Sequence, residues 1–242
     1  MSAKSNQDLL RLVYAGAALL LVFSVWPEVD LRVSGFFRFG SDHFPLANDP
    51  MLAALRQIVW TSGLAVVALC AGAATLRQVS RGSVGIKLSC PMLWATGFFV
   101  VGPVLMVNGA LKNGWGRERP ADIAEFGGDG AFTQAFHMVG TCTRNCSFVS
   151  GEAALAMAVA LVLWQVAGRA GLAGPRLAAT LAVFVTVTSL MRVATGRHFL
   201  SDVVFACLFM ALLARVMLHK TQPAKAAVQI TPVPAMAVSV AR

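Results

Sequence analysis

Long apolar runs alternate with short polar clusters along the chain, and the clusters fall where the runs begin or end. Six runs, at 9–27, 51–76, 89–111, 148–168, 175–194 and 199–218, are long enough to cross a bilayer. The requirement is about 20 apolar residues at roughly 1.5 Å rise per residue. The pattern predicts an all-α, polytopic membrane protein with six transmembrane helices in one bundle. Residues 1–8 form a cytoplasmic lead and 9–218 the six-span domain. Residues 219–242, rich in Ala, Pro, Val and Lys, are expected to be a flexible cytoplasmic tail. Lys4 and Arg11 flank the first run as in a signal peptide, but Phe23-Ser-Val-Trp-Pro27 offers no small-x-small cleavage site, so it reads as an uncleaved anchor.

Composition supports this class. The chain is 57% hydrophobic and 13% charged, where soluble domains carry ~25% charged residues. Its net charge of +9 would point to nucleic acid in a soluble protein. Here the basic residues lie between apolar runs, so topology explains them and no nucleic-acid partner is expected. With both termini inside, the inner segments carry Lys4, Arg11, Arg77, Arg81, Lys87, Arg169, Arg176, Arg215, Lys220, Lys225 and Arg242, and their only acid is Asp8. The positive-inside rule then places both termini in the cytoplasm and the polar clusters outside, which in a bacterial inner membrane is the periplasm.

The outer loop 28–50 contains Phe36-Phe37-Arg38-Phe39, read equally as an amphipathic segment on the membrane or as loop packing. In the longest loop, 112–147, Phe132, Phe136 and Met138 could touch an acyl chain or pack locally. Cys142 and Cys146 permit a disulfide in an oxidising compartment without requiring one. With His137 they are too few ligands for zinc. Cys70, Cys90 and Cys207 lie in spans and read as small apolar residues.

Three clusters carry the candidate chemistry: Lys112 to Pro120, Ser147 to Glu152, and Arg192 to Asp202. Charges at span edges cost free energy unless they pair or bind something charged. Lys112, Arg119 and Arg192 can neutralise the oxygens of a phosphate, the arginines as a bidentate fork. Ser150 and Gly151 open a helix, whose first N–H groups make an anion site, and Gly151 allows close approach. His198 and Asp202, four residues apart, share a helix face. The carboxylate can hold one ring nitrogen and leave the other free to attack. Arg117, Glu118, Asp122 and Arg144 read as solvated loop charges.

Spelled out, the clusters are Lys-x6-Arg-Pro, Ser-Gly-Glu and Arg-x5-His-x3-Asp. This resembles the type 2 phosphatidic acid phosphatase superfamily of membrane lipid phosphatases, over roughly residues 9–218. The resemblance implies a six-span fold and a phosphorylated membrane lipid as substrate. It implies that His198 forms a phosphohistidine, that Asp202 orients it, and that Lys112, Arg119, Ser150, Gly151 and Arg192 bind the phosphate. It implies neither metal nor cofactor. The middle motif departs from the family's Pro-Ser-Gly-His: Val149 stands for the Pro and Glu152 for the His that serves as general acid. Glu152 is therefore the expected acid, with His137 as a spare. The stretch Phe44 to Pro50 and the run Cys142 to Glu152 are similar to bacterial members that dephosphorylate lipid A. Undecaprenyl diphosphate, phosphatidylglycerophosphate and phosphatidate are the other candidate substrates. A lipid phosphotransferase and a non-catalytic lipid-binding protein are the rival readings. The sequence leaves the oligomeric state open.

Overall fold

The computed structural model describes residues 3–41, 43–79, 86–138 and 140–221. The expected tail falls outside these from residue 222 on, as does the centre of the basic loop at 77–88. Among the described residues six helices are long and apolar enough to cross a membrane: Asn6–Val25, Pro50–Ala73, Met92–Gly114, Gly151–Arg169, Pro175–Ala194 and Leu200–Leu218. They match the six runs to within a few residues. No strand occurs among the described residues; one isolated bridge joins Ile123 and Gly130.

The fourth span is the centre of the bundle, packing on the second, third, fifth and sixth. In its most apolar window 56% of residues are buried, against 6% in the first span, which lies outside against the sixth. The sequence of the fourth span explains this. Ala153, Ala154, Ala156, Ala158 and Ala160 are all buried, and small side chains let neighbouring helix backbones approach closely. The large side chains come from the partners: Phe98 and Phe99 of the third span and Phe205 of the sixth complete the core.

The third span changes winding on its way to the polar end. Ile86–Phe99 is α-helical, and Val100–Leu111 is wider, with π-helical bonding. Pro103 lies in this stretch and cannot donate to the ladder. The Asn108 side chain donates to its carbonyl oxygen at 2.7 Å. The stretch ends in a single turn, Lys112–Gly114.

The two outer loops close the polar end. The loop after the first span contains a helix, Glu28–Phe36, that sits against the fifth and sixth spans. Its Asp30 and Ser34 are buried, whereas Phe36 and Phe39 are exposed. The long loop packs by its aromatic residues: Phe136 meets Trp115, Phe148 and Phe205, and Phe132 meets Phe199. Met138 is exposed. Cys142 and Cys146 are joined in a disulfide.

Candidate active site

A cavity of about 410 Å³ opens at this polar end. Lys112, Arg119, Gly151, Glu152, Arg192 and His198 all line it. Three clusters separated by up to 90 residues thus converge on one space. Ser150 and Asp202 stand directly behind its wall, fully buried.

His198 sits at the end of a tight turn between the fifth and sixth spans. The backbone N–H groups of Arg197 and His198 both donate to the Arg192 carbonyl, at 3.1 and 3.2 Å. Gly196 takes a left-handed conformation there, φ 66°, which glycine adopts without steric cost. This turn brings the Arg192 guanidinium and the His198 ring to the same cavity.

The carboxylate expected on the His198 ring is one step removed. Nδ1 lies 2.8 Å from the backbone carbonyl of Ser147 and 3.8 Å from Asp202 Oδ2. Asp202 Oδ2 is already occupied, accepting from the Ser147 hydroxyl and, at 2.8 Å, from the Phe199 N–H. A carbonyl oxygen can only accept, so Nδ1 carries the proton and Nε2 keeps its lone pair on the cavity side. Burial lowers the His198 pKa and Lys112 adds to this, while the Asp202 and Glu152 carboxylates oppose it.

The Lys112 and Arg119 side chains are tied to one residue. Lys112 Nζ donates to Asn145 Oδ1 at 3.1 Å, and Arg119 Nη2 donates to the Asn145 carbonyl at 2.7 Å. Burial and the neighbouring Arg197 lower the Arg119 pKa, so an anion in the cavity relieves repulsion among its cations. The Nε donor of Arg192 is buried with no hydrogen-bond partner.

Ser150 caps the fourth span, accepting from the Ala153 N–H at 3.3 Å. Its own N–H donates to the Asp202 carbonyl at 3.2 Å. The Ser150 N–H is thus committed inside the protein, and its hydroxyl is fully buried and engaged as the helix cap. Gly151 is the part of the Ser-Gly step that reaches the cavity, and a Cβ there would crowd Asn108 and Lys112, both at 3.3 Å. Glu152 Oε1 receives Arg56 Nε at 3.0 Å and lies 3.6 Å from Arg192 Nη2, while Oε2 lies 3.9 Å from His198 Nε2.

Sequence reasoning missed several residues of the site. Arg56 is a charge inside an apolar run, which is itself a signal of function. Arg117, read as a solvated loop charge, is fully buried and pairs with Asp202 at 2.6 Å and Asp30 at 2.8 Å. Asp30 and Asn145 carried no comparable signal. Glu118, by contrast, stays on the surface and accepts from Thr141.

The PAP2 superfamily pattern matches residues 90–226, more than half the chain, and includes every residue expected to bind or react. The chain belongs to the PAP2 superfamily. With six apolar helices around the site, it is a membrane lipid phosphatase. Curated relatives extend the likeness beyond the PAP2 stretch. A protein of Rhizobium leguminosarum named lipid A 4'-phosphatase is 34% identical over 81% of this chain and 91% of its own length. One of the same name from Rhizobium etli is 33% identical over 85% and 86%. A third, from Francisella tularensis subsp. novicida, is 29% identical over 78% and 84%. No solved structure matches significantly. Arg56 and Asp30 lie before the matched PAP2 residues.

Proposed function

We propose that this protein removes the 4'-phosphate of lipid A at the periplasmic face of the bacterial inner membrane, through a phosphohistidine at His198. The observation that carries the chemistry is the contact of His198 Nδ1 with the Ser147 carbonyl, which leaves Nε2 for a cavity lined by Lys112, Arg119 and Arg192. The relatives' shared name supports the substrate. The positive-inside pattern of Lys and Arg supports cytoplasmic termini and a periplasmic site.

In this reading Lys112, Arg119 and Arg192 hold the non-bridging oxygens, where charge builds in the transition state. The Gly151 backbone at the helix start joins them, while Ser150 and Asp202 shape the wall and the nucleophile from behind. His198 Nε2 attacks phosphorus, a P–N bond forms and the P–O bond to the sugar breaks. Glu152, which takes up a proton from water as the bound phosphate draws Arg56 and Arg192 away, gives that proton to the leaving oxygen. The incoming phosphate competes for Arg56 and Arg192, which contact Glu152 in the free site. Water then attacks the phosphohistidine, Glu152 takes its proton, and phosphate leaves.

The test is phosphate release by purified protein in detergent with chelator, using lipid A, undecaprenyl diphosphate, phosphatidylglycerophosphate and phosphatidate. Release from lipid A, lost in His198→Ala, is expected. Release from another lipid alone would replace the substrate assignment. No release from any of them would overturn the hydrolytic reading.

A further inference from the structure

Behind the cavity wall lies a charged group, two of whose members, Asp30 and Arg117, the phosphatase reading does not use. Asp30, Arg117 and Asp202 are each at most 1% exposed. The Arg117 guanidinium bridges the two carboxylates: Nη1 to Asp202 Oδ1 at 2.6 Å and Nη2 to Asp30 Oδ2 at 2.8 Å. It also donates to Ser201 Oγ at 2.8 Å and, through Nε, to the Thr133 carbonyl at 2.9 Å. Its flat face lies 4.2 Å over the Phe199 ring. Asp30 in turn accepts from the Ser201 hydroxyl and N–H. Burying such a group contributes little net stability, because desolvation offsets the attraction. Its geometry is nonetheless highly constrained, since every member is held by several directional bonds.

We propose that Asp30 and Arg117 are positioning residues for phosphoryl transfer: they fix the Asp202 carboxylate, which fixes Ser147, whose carbonyl sets the reactive tautomer of His198. The proposal rests on the phosphatase reading above.

The path is continuous. Asp30 comes from the short helix Glu28–Phe36, between the first two spans. It anchors one side of the guanidinium, so that the other side meets Asp202 Oδ1. Asp202 Oδ2 accepts the Ser147 hydroxyl. The Ser147 N–H donates to the Arg117 carbonyl at 2.8 Å, so Arg117 grips Ser147 by its backbone and through Asp202. Ser147 then has no freedom to move its carbonyl away from His198 Nδ1. If that carbonyl shifts, the Nδ1 proton loses its acceptor and Nε2 loses its aim. Burial raises the Asp30 pKa and Arg117 opposes this; a carboxylate kept at such a place against desolvation must be held by its donors.

The test uses the full chain purified in detergent, with phosphate release from lipid A as readout and inorganic phosphate as competitive inhibitor. Asp30→Asn, Arg117→Lys and Ser147→Ala should each lower kcat by about 10²-fold, the scale of a small misplacement of reacting groups. KM and the inhibition constant of phosphate should stay essentially unchanged. Ser147→Ala leaves the Asp30, Arg117 and Asp202 pairing intact, so it separates aim from folding. Because Asp30 acts on the Ser147 hydroxyl through Arg117 and Asp202, the double variant of Asp30→Asn and Ser147→Ala should fall by much less than the product of the two single effects. Unchanged kcat in Asp30→Asn or Ser147→Ala would overturn the proposal. So would effects that multiply in the double variant, or loss of phosphate inhibition together with kcat. A wild-type protein that binds phosphate but releases none from any lipid would overturn the phosphatase reading, and this proposal with it.

Discussion

The His198 ring reaches Asp202 only through Ser147: Nδ1 meets the Ser147 carbonyl at 2.8 Å, and the carboxylate stands 3.8 Å off. A neutral acceptor fixes the tautomer as well as a carboxylate would, yet it does less to favour the imidazolium.

The pH profile follows from this. Burial disfavours the charged ring, and the net shift of the His198 pKa is downward from 6.5. The nucleophile therefore stays neutral below the ordinary histidine range. The acid limb of kcat/KM is expected below pH 6.5. Glu152→Gln removes a carboxylate that favours the imidazolium, so it should move the limb lower still. A limb above 6.5 in the wild type would contradict the buried, neutral ring.

Glu152 as general acid predicts dependence on the leaving group. Glu152→Gln should lower kcat for lipid A by about 10²–10⁴-fold, the usual contribution of general acid catalysis. An aryl phosphate such as p-nitrophenyl phosphate has a leaving group that needs no proton and should be cleaved almost as fast by the variant. Equal losses on both substrates would remove Glu152 from the acid role.

The disulfide should act on binding. Cys142–Cys146 closes a loop around Asn145, which takes a left-handed backbone, φ 53°, and accepts from both Lys112 and Arg119. Replacing both cysteines by serine should raise KM about tenfold, the scale of one hydrogen bond to a charged group, with a smaller change in kcat. Dithiothreitol should reproduce the effect in the wild type and do nothing to the double variant. A reductant effect that persists in the double variant would place the sensitive bond elsewhere.

Gly196 is the weak point of the turn joining Arg192 to His198. Its φ is 66°, and a Cβ there would come within 2.5 Å of the Phe44 ring. Gly196→Ala should lower stability by about 1–3 kcal/mol, from strain and overpacking together. It should appear as a lower melting temperature in detergent. Gly72, where an added Cβ would meet nothing within 4 Å, supplies the control; its alanine variant should melt no lower than the wild type does.

Much of this molecule could be read from the chain alone. The six spans follow from run length, because a bilayer requires about 20 apolar residues whatever the fold. Lys112, Arg119, Arg192 and His198 declared themselves as charged or titratable groups at the edges of those runs. Residues whose partners lie far off in sequence were not legible. Arg117 looked like any loop arginine until Asp30, 87 residues away, closed on its other side. Asn145 is an ordinary loop residue until Lys112 and Arg119 both reach it. His198 and Asp202 are correctly spaced for contact, yet the tertiary structure gave the ring nitrogen to Ser147, because Asp202 Oδ2 was already committed to the Ser147 hydroxyl and the Phe199 N–H. Periodicity and spacing report what a segment can do by itself; which donor meets which acceptor depends on how the helices pack, and a buried polar atom takes the partner that packing brings within reach.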